Sequence, residues 1–372
     1  MTDLKAGLIA AAERQGFLAV AVARAEVDAE ARAITLERVR RGSFAGLPWF
    51  DEDRVVRATD PRRTLREAQS VVLLAASYLH PAPERDERLR GRIARYAWGR
   101  DYHVLLKRRA RRIARWIDGQ VPGSRSHWMT DTGALAERVY ARSGGLGWQG
   151  KNTMLLRRGI GSYTLLAAVL TTVVIEPDPP APQSCGTCAR CLPACPTGAL
   201  RAPYDLANDL CIAYQTIENR GPIPRALRPQ MGDWIFGCDL CQEACPVNEP
   251  TGSAGLPEFA PATPDAAFPD LIELLALRED EFHERFRGRP ILRARYAGLL
   301  RNVCVALGNV GDARAEAPLG RALAHHEPLV RGHAAWALGR LGATGMLRAR
   351  REHERDPWVR SEIDGALEGD RA

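Results

Sequence analysis

The apolar positions change their spacing along the chain, and the changes divide it into parts. MTDLKAGLIAAAERQGF at the N-terminus carries apolar residues at helical spacing. It also has acidic residues and no small-residue cleavage site, so it reads as an amphipathic helix and not as a signal peptide. SVVLLAASY (70–78) is a continuous β-branched run of strand length, which predicts a buried strand. HVLLKRRARRIARWI (103–117) alternates at helical period between an apolar stripe and a strongly basic face. ALAERVYARSGG (134–145) predicts a helix closed by glycines, and YTLLAAVLTTVVI (163–175) a second buried strand with a hairpin partner in NTMLLRRGI (152–160). Residues 1–175 therefore read as an α/β domain. The prolines of EPDPPAPQS (176–184) break the pattern and mark a boundary.

Past residue 291 the spacing is helical to the end and repeats itself. VCVALGNVGD (303–312), AAWALGRLGA (334–343) and IDGALEGD (363–370) share a small-residue core, and Ala306, Ala337 and Ala366 follow one another by about 30 residues. Short helices at that period predict HEAT-like repeats, each pair burying its apolar face only by stacking on the next. Arg301, Arg331 and Arg360 recur in register. They read either as solvated caps and ion-pair partners or as a row of phosphate contacts. Residues 261–290 read as a connector after a Pro- and Ala-rich stretch, and 291–372 as the repeat domain.

Composition adds two points. At 372 residues with 45% hydrophobic and 26% charged residues, the chain has enough apolar content for two or three domains. No apolar run approaches 18 residues, so no membrane span is predicted, and a cytoplasmic monomer is the expectation. The formal net charge is +7, and all but three of the 52 basic residues are arginine. That bias fits either general composition or a polyanionic partner gripped by forked guanidinium contacts.

The cysteines carry the chemistry. Eight of the nine fall between 185 and 245. Cys185, Cys188, Cys191 and Cys195-Pro196 form a C-x2-C-x2-C-x3-C-P run; Cys211, Cys238, Cys241 and Cys245-Pro246 repeat its ending with Cys211 displaced upstream. Such spacing argues against disulfides and for two 4Fe–4S clusters in a ferredoxin-type module over 176–260, each cluster taking its fourth thiolate from the other run. Crossing the fourth ligands assigns Cys185, Cys188, Cys191 and Cys245 to one cluster, and Cys195, Cys211, Cys238 and Cys241 to the other. Paired C-x2-C units also suit zinc, but two Cys-Pro endings favour the clusters. Cys304, at an apolar position on a repeat helix, reads as core.

Longer motifs resemble a known family. DTGALAER (131–138), GLGWQGKNT (145–153), RYAWGRDYH (95–103), CIAYQTIE (211–218) and GDWIFGCDLCQ (232–242) are similar, in order and over nearly the whole chain, to the epoxyqueuosine reductases. The resemblance implies an oxidoreductase that reduces epoxyqueuosine to queuosine at the wobble position of tRNA, the last step of queuosine biosynthesis. It further implies a cobalamin held between the N-terminal domain and the ferredoxin module, and an external electron donor. The family shares this core arrangement with cobalamin-dependent reductive dehalogenases, so a small-molecule reductase is the alternative. No D-x-H-x-x-G signature is present, because Leu106 stands three positions after His103; this agrees with base-off cobalamin that takes no histidine ligand. The chain departs from the family at Thr132 (usually serine) and at Tyr163 and Val247 (usually tryptophan), and the last two imply altered packing near the cofactor.

By the same resemblance Asp131 is the proton donor, its pKa raised by burial; read from its residues alone, it is a helix N-cap. Arg57, Asp131, Asn152, Leu155, Cys238 and Asp239 are expected near the corrin, and Asp101, Tyr102 and Arg220 near the tRNA substrate. Asp101 reads equally as the partner of a neighbouring arginine, and Lys151 as a surface charge. The Gly147–Gly150 turn is expected to let backbone approach a ligand closely. The basic helix 103–117 is a candidate tRNA surface or a solvated face.

Overall fold

Four antiparallel strands, in the spatial order Ala19–Arg24, Ser70–Ser77, Thr164–Thr171, Ser126–Met129, form the sheet of the N-terminal domain. Val72 stands between Val22 and Val169 across the two central pairings. Ser70–Ser77 is buried along its whole length because both faces of the sheet are covered. Val72, Leu74 and Ala76 pack with Leu8 of helix Thr2–Arg14 and with Leu106 and Ile113 of helix Tyr102–Gln120. Val71, Leu73 and Ala75 face Tyr140 and Ala141 of helix Glu137–Ser143. The computed structural model describes residues 2–249 and 255–369; part of the predicted Pro/Ala-rich stretch, 250–254, lies outside them.

The second predicted strand is present, but its neighbours are Ser70–Ser77 and Ser126–Met129 and not residues 152–160. Leu155–Leu156 pairs with Trp148–Gln149 in a small hairpin of its own. The glycines of that turn serve the hairpin. A Cβ on Gly147 would lie 2.2 Å from the Leu156 carbonyl oxygen, and one on Gly150 would lie 2.6 Å from Asn152 Oδ1. The close approach expected toward a ligand is therefore an approach of the chain to itself.

The cysteine region does not stand apart from its neighbours. Trp234–Phe236 pairs in parallel with Arg92–Ile93 of the N-terminal part. One apolar core runs from Trp234, Ile235 and Phe236 through Leu271, Leu274 and Phe282 to Val303, Leu307 and Leu338. The 261–290 segment, expected as a connector, contains helices Leu271–Leu275 and Glu279–Arg285, whose apolar residues supply part of this core. The predicted repeats are helices Tyr296–Val310, Glu316–Ala322, Pro328–Leu341, Thr344–His353 and Pro357–Leu367. Their recurring small residues permit close stacking: a Cβ on Gly308 would lie 2.9 Å from Ala337, and one on Gly339 2.7 Å from Ala366. Cys304 is fully buried, as expected of a core residue.

The repeat arginines are not a row of phosphate contacts. Arg301 is buried and donates to the carbonyls of Gln215, Asn219 and Gly221. Arg331 is paired with buried Glu354 through two hydrogen bonds of 2.9 Å. Only Arg360 is exposed. The first two satisfy loop carbonyls and a carboxylate that packing would otherwise strand.

Candidate active site between the sheet and the cysteine module

Asp101, with an extended backbone after the turn Arg95–Ala97, caps helix Tyr102–Gln120, accepting from the His103 N–H at 2.9 Å. Capping presents the first two helical side chains to the loop after strand Ser126–Met129. There Asp131 accepts from the Tyr102 hydroxyl at 2.7 Å and from His103 Nε2 at 3.0 Å, while His103 Nδ1 reaches Asp101 at 2.8 Å. An imidazole flanked by two carboxylates donates from both nitrogens only when it is cationic. Burial alone would lower the His103 pKa; the hydrogen bonds to Asp101 and Asp131 outweigh it and raise it to about 9.

Asp131 is not an N-cap, because the following helix begins only at Glu137 and Ala136 occupies the cap position. Its backbone lies in the left-handed region (φ +52°), and its N–H donates to Glu137 Oε1 at 2.9 Å. The expected upward pKa shift is reversed: the His103 hydrogen bond, opposed by partial burial and aided by Tyr102, holds the carboxyl below its ordinary value. Glu137 moves the other way. Burial, reinforced by the nearby Asp131 charge, raises its pKa to about 8.

Beside this cluster a cavity of about 340 Å³ opens between the sheet domain and the cysteine module. Tyr96, Tyr102, Arg138 and Asn152 line it from one side; Cys195, Cys211, Cys238 and Cys241 line it from the other. Those four thiols are the second of the two ligand sets obtained by crossing the fourth cysteines. The other set also gathers, since the thiols acting on Cys191 are Cys245, Cys185 and Cys188. All nine cysteines are free thiols. The two groups are spread: among the described residues no three His, Cys, Asp or Glu side chains converge tightly enough for a single metal ion. In the inner set burial raises the Cys241 pKa to about 12.

Residues 184–248 match the family described as "4Fe-4S double cluster binding domain", 58–132 match "Epoxyqueuosine reductase QueG, DUF1730", and 290–368 match "HEAT repeats". The epoxyqueuosine reductase of Gloeobacter violaceus is 38% identical over 85% of this chain and 100% of its own length. The chain belongs to the epoxyqueuosine reductase family. A crystal structure of an epoxyqueuosine reductase with an epoxyqueuosine-modified tRNA-Tyr stem loop superposes with a TM-score of 0.92 at 31% identity, covering 100% of both chains. The Bacillus subtilis epoxyqueuosine reductase, solved with an aspartate-bearing catalytic loop swung out of the active site, superposes at 0.90 with 31% identity over 99% of each chain. This reductase thus has the α/β domain, the double-cluster ferredoxin-type module and the helical repeats that the motifs implied.

Of the residues expected at the site, Tyr102, Asn152, Cys238 and Asp239 line the cavity of the reductase, and Asp131 and Asp101 stand beside it through Tyr102 and His103. Asn152 is buried, donates to the Cys241 carbonyl at 3.1 Å and accepts from the Met154 N–H at 3.2 Å, so its amide is fixed at the boundary of the two domains. Asp239 is also buried there. Burial raises its pKa to about 6, opposed by the Arg95 N–H that donates to it at 2.7 Å. Two residues expected near the corrin lie elsewhere. Arg57 is on exposed helix Glu52–Ala58, paired with Asp53 at 3.1 Å. Leu155 sits under the sheet with Leu73 and Leu170, because its place in the hairpin turns it inward. Arg220 donates to the Ile217 carbonyl and is exposed beside Glu218. Tyr163 is buried edge-on against Tyr78 beneath Arg95, and Thr164 rather than Tyr163 reaches the cavity.

Several site residues escaped the sequence reading. His103 was noted only as part of an incomplete ligand signature. Glu137 and Arg138 lay inside a quoted motif without a role. Arg293 stands near Asp131 and Tyr102, bound to Glu218 by hydrogen bonds of 2.8 and 3.0 Å, and no local signal marks it.

Proposed function

We propose that this reductase converts epoxyqueuosine in tRNA to queuosine in the cavity beneath Tyr102, with Asp131 as the proton donor and a cobalamin held against the inner cysteine set. One observation carries the reading. The four thiols of that set and Tyr102, which binds Asp131, line the same cavity.

Opening an epoxide to an alkene consumes two electrons and two protons and releases water. The residues present fit a flat apolar cofactor edged with amides. The cavity walls are mostly apolar, and the Asn152 amide is fixed at their edge. A cobalamin bound there would supply the electron pair, and clusters held by the two cysteine sets would relay electrons toward it. Asn152, Asp239 and Cys238 would hold its edge.

The protein's own contribution is the proton. At neutral pH the shared proton rests on His103 and not on Asp131. His103, oriented by Asp101, passes that proton through Asp131 Oδ2 to a substrate oxygen arriving there, and solvent re-protonates His103 and supplies the second proton, so that the oxygen leaves as water. Tyr102 fixes the same oxygen of Asp131 that His103 binds. The loop that carries Asp131 has a left-handed φ and is tied at the Asp131 N–H by Glu137, at the Gly133 carbonyl by Arg54 and at the carboxylate by Tyr102 and His103. Release of those few polar ties would free the segment from the site, and the Bacillus subtilis enzyme has been solved with its aspartate loop swung out.

The tRNA would reach this site from the side of Arg220 and Arg293 and along the exposed basic face of helix Tyr102–Gln120, where Lys107, Arg108, Arg111, Arg112 and Arg115 lie. RNA recognition of this kind splays out a loop base and grips the surrounding backbone. The test is anaerobic turnover of epoxyqueuosine tRNA with added cobalamin and reductant. Queuosine formation is expected; turnover of small epoxides or organohalides without any turnover of tRNA would replace this reading with a small-molecule reductase.

A further inference from the structure

Of the two cysteine sets, only the inner one touches the cavity, and the outer one therefore faces a different part of the protein. Cys185 and Cys188 are partly exposed, and Gly186 and Thr187 between them are exposed. The surroundings of this loop are strongly one-sided in charge. From Gly144 to Ile175, and again from Pro179 to Tyr204, the chain has no acidic residue. Lys151 donates from Nζ to the Gly186 carbonyl at 2.7 Å, which places one cation on the loop itself. Arg157 and Arg158, exposed at the end of the small hairpin, line a groove with Pro179–Gln183, the segment that leads directly to Cys185. Arg190, next to Cys191, is exposed, and its acidic neighbour Glu249 is 3.7 Å away.

We propose that this face is the docking surface for the external electron donor, and that the donor is a small acidic one-electron carrier protein. The proposal rests on the two-cluster reading above. Each encounter oxidises the donor by one electron and reduces the outer cluster by one; two encounters supply the pair that one epoxide consumes. A positive patch around an exposed redox centre speeds encounter with a negative partner and selects against positive ones. A nucleic acid is the other polyanion such a patch could attract. The position favours the redox protein: the face surrounds the cysteine set that does not line the cavity, whereas Arg293, near Asp131, belongs to the substrate side.

The test uses the holoenzyme and reduced flavodoxin as the acidic probe, with cluster bleaching followed by stopped flow. In the wild type the second-order rate should fall steeply with added salt. In Arg158→Glu/Arg190→Glu it should fall roughly tenfold or more at low salt and lose its salt dependence. Reduction by dithionite in high salt, where charge is screened, should be unchanged, as should affinity for the modified tRNA stem loop. An unchanged flavodoxin rate overturns the proposal. Loss of stem-loop affinity overturns it too, and assigns the face to RNA. Should the double variant also fail with dithionite, Arg158→Glu alone, away from the cysteine ligands, decides by the same rates. Wild type without iron and sulfide would instead sink the cluster reading itself.

Discussion

His103 Nε2 lies 3.0 Å from Asp131 Oδ2, and the ring's other nitrogen is committed to Asp101 at 2.8 Å. This places a cation, and not a second neutral acid, behind the proposed proton donor. Asp131→Asn removes the acid while keeping the shape. Single-turnover formation of queuosine should drop by about 10²–10⁴-fold, the usual contribution of a positioned acid. Turnover equal to wild type would take Asp131 out of the mechanism.

The same pair sets a pH dependence. The His103 pKa is raised from its ordinary value to about 9 in the folded protein, so its contribution to stability is complete below about 6.5 and is lost as pH rises through about 9. Activity should decline over the same upper limb as the reloading proton disappears. Titration of the His103 ring by NMR should show a midpoint near 9 in wild type and a lower one in Asp101→Asn. An unshifted midpoint in the variant would mean that Asp101 does not poise the ring.

Glu137 separates shape from charge. Its side chain accepts the Asp131 N–H, and burial raises its pKa to about 8. Glu137→Gln keeps an acceptor and should retain most activity; Glu137→Ala frees the left-handed loop and should cost roughly tenfold in kcat, which is on the order of the strain energy of such a residue. A raised carboxyl pKa stabilises at low pH and loses that contribution as pH rises from its unfolded value toward 8. The Tm of the wild type should therefore fall relative to Glu137→Gln across that interval. Parallel Tm profiles would contradict the buried, protonated Glu137.

Iron content distinguishes the cysteines. Cys211→Ser, in the inner set, should remove about four of about eight irons and abolish turnover, whereas Cys304→Ala, in the repeat core, should keep full iron and lose only about 1 kcal/mol. Elemental analysis of anaerobically purified protein reads both. Full iron in Cys211→Ser would break the crossed ligand assignment.

Arg301 and Arg360 should diverge in stability. Arg301→Ala strands the carbonyls of Gln215, Asn219 and Gly221 and should cost on the order of 3 kcal/mol or more, whereas exposed Arg360→Ala should stay within about 0.5 kcal/mol. Thermal unfolding measures both; similar losses would restore the view of the repeat arginines as equivalent.

The sequence made some features plain and concealed others, for physical reasons. Cysteine spacing is local geometry, so a two-cluster module is legible in the sequence alone. The strand at 70–77 was legible because burial on both faces removes polar positions from the pattern. The pairing of the second strand was not, since Thr164–Thr171 finds its partners about 90 and about 40 residues upstream and not in the adjacent segment. The direction of the Asp131 pKa was misjudged because it depends on His103, 28 positions away, brought there by a capped helix. Arg301 looked like a surface cation because periodicity shows which residues recur, not which carbonyls a neighbouring loop leaves in need of donors.

Asn302 donates to the carbonyls of Thr216 and Ile235, so the first long repeat helix is stitched directly into the backbone that carries the inner cysteine set. In this chain the repeats are therefore a brace for the cysteine module as well as a surface of their own. Cutting the chain before residue 290 would leave the Thr216 and Ile235 carbonyls without their Asn302 donor and bare the apolar face of Trp234–Phe236, so the module should hold its iron less firmly in the shortened protein.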